Sequence, residues 1–211
     1  MARTLAKVAT LATGFGLTGT LAVAEGSYHG YEAPRYTVDA RMDGAELRRY
    51  APHILAEVTV RGDHDSARSR GFSVLAGYIF GGNRSRAKVE MTAPVTQTPN
   101  EKIAMTTPVT QTGEDGLWTV TFMMPSEYTL DTLPEPENDA IRFREAPAER
   151  RIALAFSGRP LQARLTQKSA DLAAIARANG VNIDETPTYS FYDDPFTLPM
   201  NRRNEVSYHV R

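Results

Sequence analysis

The chain has 211 residues, no cysteine, and 24 basic against 25 acidic side chains, for a formal charge of -1. That excludes a disulfide scaffold, a cysteine-built zinc or iron-sulfur site and a thiol nucleophile. A near-neutral balance also argues against a nucleic-acid partner, which calls for a basic surface.

Residues 1–24 read as a secretory signal. Arg3 and Lys7 give a positive start, Val8 to Leu21 carries no charge, and Ala22-Val23-Ala24 supplies small residues for cleavage after Ala24. The expected location is periplasmic or secreted. The uncharged run is short and broken by Gly14, Gly16 and Gly19, so no stable membrane insertion is expected once it is removed. Gly14-Phe15-Gly16-Leu17-Thr18-Gly19 matches a dinucleotide fingerprint in letters only, because it lies inside this run and not between a strand and a helix. Residues 25–34 are expected as a flexible mature terminus, and 35–211 as one domain.

Alternating or β-branched stretches predict strands over 35–41, 45–50, 53–61 and 87–96, then 117–124, 140–145, 150–157, 188–192 and 204–210. In the last, Glu205, Ser207 and His209 are expected on the polar face. A helix is predicted from Asp65 to Phe80, with Asp63 or Asp65 as cap, Phe72, Leu75 and Ile79 on one face, and Gly81-Gly82 as the stop. A second is predicted from Leu161 to Asn179, closed by Gly180.

Two repeats organise this pattern. Met91 to Thr98 recurs as Met105 to Thr112 with seven of eight positions identical, as a hairpin or a duplicated rim would produce. Tyr36-Thr37-Val38-Asp39 resembles Tyr128-Thr129-Leu130-Asp131, and Ala51-Pro52 resembles Ala146-Pro147. An apolar strand, a glycine and a helix follow each Ala-Pro. The pattern implies an α+β fold: two helices on a curved antiparallel sheet or barrel with an internal repeat.

Several stretches resemble the SOUL heme-binding protein family. They are Tyr36 to Asp39, Glu46 to Pro52, Gly77 to Asn83, Lys88 to Val95, Trp118 to Pro125 and Asn201 to Val206, in the family's order. The resemblance implies a distorted antiparallel β-barrel with two flanking helices and pseudo-twofold symmetry, similar to bacterial effector-binding domains. It also implies a heme or other tetrapyrrole ligand in an apolar groove beside the first helix, where basic side chains meet the propionates. The family's basic positions fall here on Ser69, Gly77 and Leu198, and the position of a suspected iron-ligating histidine on Arg49. Substitutes lie nearby: Arg68, Arg70, Arg202 and Arg203 as propionate partners, and Val74, Tyr78, Ile79, Met91 and Met105 as an apolar wall.

Other chemistry is sparse. His53 is the best single axial-ligand candidate. Asp63-His64-Asp65 reads either as a helix cap or as a metal or proton-donor cluster. Gly71-Phe72-Ser73 lacks the closing glycine of a nucleophile elbow. Asn83-Arg84-Ser85 is a glycosylation sequon in letters. A protein that binds, buffers or carries heme leads the readings. An enzyme acting on heme by iron removal or ring cleavage, with Asp63, His64, Asp65 and Tyr78 as suspects, stays open. So does a binding module for another hydrophobic molecule or a protein partner.

Overall fold

The computed structural model describes residues 23, 24, 26–85, 100–194 and 196–211. The main elements are β1 Tyr36–Met42, β2 Ala45–Tyr50, β3 His53–Arg61, α1 His64–Ile79, β4 Val109–Glu114 and β5 Leu117–Met123. They continue with β6 Arg142–Ala146, β7 Glu149–Phe156, α2 Gln162–Ala178, β8 Thr188–Phe191 and β9 Asn204–His209. Among the described residues these nine strands form one curled antiparallel sheet in the order β1-β2-β7-β9-β8-β4-β5-β3-β6, with Val23–Ala24 added outside β1. The fold is the α+β half-barrel with two helices that the pattern implied.

The repeat is visible in that order. β2-β7-β9-β8 on one side mirrors β6-β3-β5-β4 on the other, across the β8–β4 seam. In each half a strand is followed by a helix and a hairpin-like pair. The strand before it, β2 or β6, crosses to pair with the opposite half. The crossings fall at Ala51-Pro52 and Ala146-Pro147. Proline has no N–H to donate, so a ladder ends there and the chain turns to the other half. Tyr128 to Asp131 departs from the expected repeat: it lies in a turn, with the Thr129 N–H donating to Thr132 Oγ1 at 2.8 Å.

β4 was not anticipated as a separate strand. It grows from the second Met-Thr-Thr-Pro-Val copy and returns into β5 through Asp115-Gly116, both at positive φ, the turn that suits a twisted hairpin. The first copy and the strand expected at 87–96 lie largely outside the described residues. Residues 27–32, expected as a mobile terminus, form a small hairpin whose Tyr28 hydroxyl donates to Asp193 at 3.2 Å. Asn83 is buried, its side-chain amide donating to the carbonyls of Tyr78 at 2.7 Å and Glu101 at 2.8 Å, so the sequon is a structural asparagine.

Strand alternation sorts the sheet into two faces. Ala56 and Val58 of β3 and Val120 and Phe122 of β5 pack with Leu75, Tyr78 and Ile79 of α1. Leu47, Ile152, Tyr189, Val206 and Tyr208 pack with Leu165, Leu172 and Ala176 of α2. The alternate residues of the same strands face the concave side, which carries no helix. Both helices therefore lie on one face, and the other is left for polar side chains.

Gly71 sets how closely α1 approaches β5. A Cβ there would stand 2.5 Å from Val120 Cγ2, far inside contact distance. Gly71→Ala is expected to cost about 1–3 kcal/mol by overpacking, although alanine is the better helix former. Pairing it with Val120→Ala should recover part of the loss. Urea unfolding of the two single variants and the double variant checks this coupling.

Candidate functional site

The N-terminus of α1 is built by Asp63. Its carboxylate accepts from the Ser66 N–H at 2.9 Å and the Ser66 hydroxyl at 2.6 Å, so this aspartate is a cap. Among the described residues no group of three His, Asp or Glu side chains is placed to hold a metal ion. His64 is buried edge-on to Trp118, Tyr189 and Phe191, with Nδ1 3.2 Å from Asp65. Burial holds its pKa down, and Asp65 opposes that shift.

One turn along, Arg68 pairs with Asp65 at 3.2 Å and lies 4.9 Å over the Phe191 ring. Its Nη1 is buried with no hydrogen-bond partner among the described residues. Burial lowers its pKa, Asp65 raises it, and the nearby charge of Arg202 lowers it again. Arg202 donates from Nε to the Thr197 carbonyl at 2.7 Å, within the β8–β9 connection. The same connection holds Phe196 94%, Leu198 59% and Met200 71% exposed. Phe72, one turn beyond Arg68, is 39% exposed while its ring rests on Phe122. Arg68 on α1 and Arg202 on this connection are therefore electrostatic neighbours, and the connection carries several uncovered apolar side chains. Like charges repel, so an anion placed between them is favoured.

The other expected residues are distributed differently. Arg70 lies two residues on, about 200° around the helix, and bonds to the Arg61 carbonyl, so it does not share the Arg68 site. Val74 is half-buried against the core. Tyr78 and Ile79 face the sheet, both under 3% exposed, and Tyr78 donates to the Pro134 carbonyl at 3.0 Å. They are core residues between α1 and the sheet. Met105 is partly exposed near the far end of α1, where the Ile103 N–H donates to the Ile79 carbonyl at 3.0 Å. Met91 lies outside the described residues.

His53 and Arg203 belong to the opposite face. His53, Leu55 and Glu57 alternate out of β3 into a concave cleft of about 450 Å³. His53 Nδ1 lies 2.9 Å from the Ala51 carbonyl. The sheet separates this histidine from the Arg68 groove, so the structure does not bring the two together. Arg203 stacks 4.4 Å over Tyr192 and donates to Glu205 at 2.6 Å.

Glu205 was expected on the polar face of its strand, with structural pairing to the nearby arginines as the alternative. It is 2% exposed and anchors a buried network in which Arg203 is one partner. Arg48 grips it through two bonds at 2.8 and 3.1 Å, Arg203 adds a third contact, and the Tyr192 hydroxyl donates at 3.0 Å. Arg48 also donates to Tyr50 at 3.1 Å and lies 4.3 Å over Tyr36. Burial pushes the Glu205 carboxyl up, but Arg48 and Arg203 outweigh it and hold the pKa below the usual range. Burial pushes Tyr50 up to about 12. The legible signal was the pair of arginines flanking a strand glutamate, Arg48 in one segment and Arg203 in another.

A family description, SOUL heme-binding protein, matches residues 31–209. The chain is similar to Heme-binding protein 2 of Homo sapiens, 32% identical over 164 residues that cover 76% of this chain and 75% of that one. It is 31% identical over 194 residues to Heme-binding protein 2 of Mus musculus, covering 88% and 90% respectively. Among solved structures, the EcmrR C-terminal domain shares the fold at a TM-score of 0.55 and 13% identity, covering 79% of this chain and 96% of that one. A hydrolase from Listeria innocua does so at 0.53 and 12%, covering 82% and 94%.

Replacing Glu205 with glutamine removes the carboxylate that Arg48 and Arg203 share and leaves the buried Arg48 with Glu46 alone. The expected loss at neutral pH is about 3–5 kcal/mol. Because the folded pKa of Glu205 lies below its unfolded value near 4.5, its stabilisation is complete above that value. It is lost as pH falls through the folded value. Urea midpoints at neutral and acidic pH check both parts: the wild type should lose more on acidification than Glu205→Gln.

Proposed function

The chain belongs to the SOUL heme-binding protein family, and on that premise we propose that it binds heme or a related tetrapyrrole in the groove between α1 and the β8–β9 connection. The observation that carries this reading is the electrostatic proximity of Arg68 and Arg202, on elements that also carry exposed Phe72, Phe196, Leu198 and Met200. A tetrapyrrole supplies a flat apolar face and propionate carboxylates. The Arg68 guanidinium is suited to pair with one carboxylate, and the charge of Arg202 lies near it. Covering four large apolar side chains supplies the rest of the binding energy. The relatives named Heme-binding protein 2 support the ligand class.

The protein binds and carries its ligand rather than transforming it. The groove offers guanidiniums and hydrocarbon. Its one buried imidazole, His64, is enclosed by aromatic rings, and His53 lies across the sheet. Porphyrin burial and propionate pairing, not iron coordination, then set affinity.

Heme titration tests the reading. Arg68→Ala and Arg202→Ala should each weaken binding about tenfold or more, the worth of one charge-assisted bond. Metal-free protoporphyrin should bind with similar affinity. Unchanged affinity in the double variant overturns the groove, and progressive loss of the heme spectrum overturns the carrier role.

The basic, then apolar, then small-residue order of residues 1–24 supports export to the periplasm or beyond. Cleavage after Ala24 would remove the Val23–Ala24 edge pair and leave the nine main strands intact. The mass of the protein recovered from the exporting compartment of a bacterial host should correspond to a chain starting at Glu25. The uncleaved mass there would refute it.

A further inference from the structure

The cleft on the helix-free face is unused by the tetrapyrrole reading. Its volume of about 450 Å³ lies within the range of about 300–1,000 Å³ typical of small-molecule sites. An ordinary solvated sheet face carries lysines and glutamates. This one is rich in hydroxyls: Thr110, Thr112, Thr119, Thr121, Thr188 and Ser207 line it beside paired glutamates and arginines, and among the described residues no lysine does. At one end the hairpin of residues 27–32 brings Tyr28 against Tyr192, their ring centroids 5.2 Å apart, while Tyr36 and Tyr50 stand 5.1 Å apart beside them.

The charges of the cleft are matched within it. Arg144 donates to Glu57 at 2.9 Å. Arg151 donates to Glu149 at 3.1 Å, to Ser207 at 3.1 Å and to Thr188 at 2.6 Å. Arg48 and Arg203 share Glu205, with Glu46 completing Arg48 and Asp193 accepting the Arg203 N–H at 2.6 Å. A ligand with a net charge would lose hydration there and meet no unmatched opposite charge. A neutral ligand escapes that cost. Aromatic faces take the C–H face of a ring, while hydroxyls and arginine–carboxylate forks exchange hydrogen bonds with its rim.

We propose that this cleft is a second binding site, for a neutral polyhydroxylated ring of the sugar type. It lies across the sheet from Arg68, so it stands independently of the tetrapyrrole reading.

The experiment is an NMR titration of the full chain with D-glucose, D-galactose and maltose. Benzoate and benzylammonium serve as anionic and cationic ring controls. At least one neutral sugar should give saturable shifts at Thr188, Ser207 and Tyr192, with a Kd on the order of 1 mM, as expected for so small a ligand. Thr119→Trp fills the cleft from a strand position that tolerates an aromatic side chain, and should abolish the shifts. Arg151→Met should weaken binding about tenfold. Heme affinity should be unchanged in Thr119→Trp. No saturable shift with any of the three sugars overturns the proposal, as does tighter binding of either charged ring. Loss of heme binding in a folded Thr119→Trp would assign the cleft to the tetrapyrrole and overturn both the second site and the α1 groove.

Discussion

The arrangement depends on one buried carboxylate. Glu205 sits on β9, which pairs with β7 on one side and β8 on the other. Arg48 reaches it from β2, Arg203 from the connection before β9, and Tyr192 from the end of β8. One side chain thereby ties together a strand that crosses from the other half, the connection beside the groove and the tyrosine end of the cleft. Taking these ions out of water is costly. It is tolerated because each is met by two or more partners. A hydrophobic residue at this position would pack, but it would hold neither Arg48 nor Arg203 in place.

The second constraint is the period of the strand. Every strand that packs a residue under a helix presents the next one to the concave side. An apolar core beneath α1 and α2 therefore fixes which residues remain for the cleft. Thr119 and Thr121 face it because Trp118, Val120 and Phe122 are required on the other side. His53 faces it because Ile54 and Ala56 pack toward α1. Two faces follow from the same sheet, and residues adjacent in sequence belong to opposite ones. Arg202 and Arg203 show this directly: Arg202 lies near Arg68, and Arg203 lies in the cleft.

That parity explains what the sequence disclosed. Helix limits were legible from Asp63 and Gly81, and β2 and β3 from Ala51-Pro52 between two alternating runs. The fold class followed from the repeat and the family resemblance together. β4 was hidden because Pro108 reads as a strand breaker, although Asp115-Gly116 marked the hairpin that it enters. Arg68, Arg70, Arg202 and Arg203 were named together, and only three-dimensional placement shows Arg202 near Arg68 while Arg70 bonds the Arg61 carbonyl and Arg203 lines the concave cleft. Alternation left the burial of Glu205 open, because it places a side chain on a face and says nothing of whether that face is wet. Burial there depends on Arg48, more than 150 residues away in the chain.

Exposed apolar side chains on a connection are ordinarily a liability. Phe196, Leu198 and Met200 remain uncovered because the backbone beneath them is held by other means. Asp194 accepts the N–H groups of Phe196 at 2.7 Å and Thr197 at 2.9 Å, Arg202 bonds the Thr197 carbonyl, and the Gly158 N–H donates to the Pro199 carbonyl at 2.8 Å. A connection fixed by its polar groups can present its apolar ones without collapsing onto the core. The ordering cost of a binding surface is then met at folding rather than at binding. Arg68 extends the same logic to charge. Its guanidinium is held in place by Asp65 and the Phe191 ring. A connection fixed by its polar groups and a guanidinium fixed by its neighbours are the two features on which the proposed tetrapyrrole site draws.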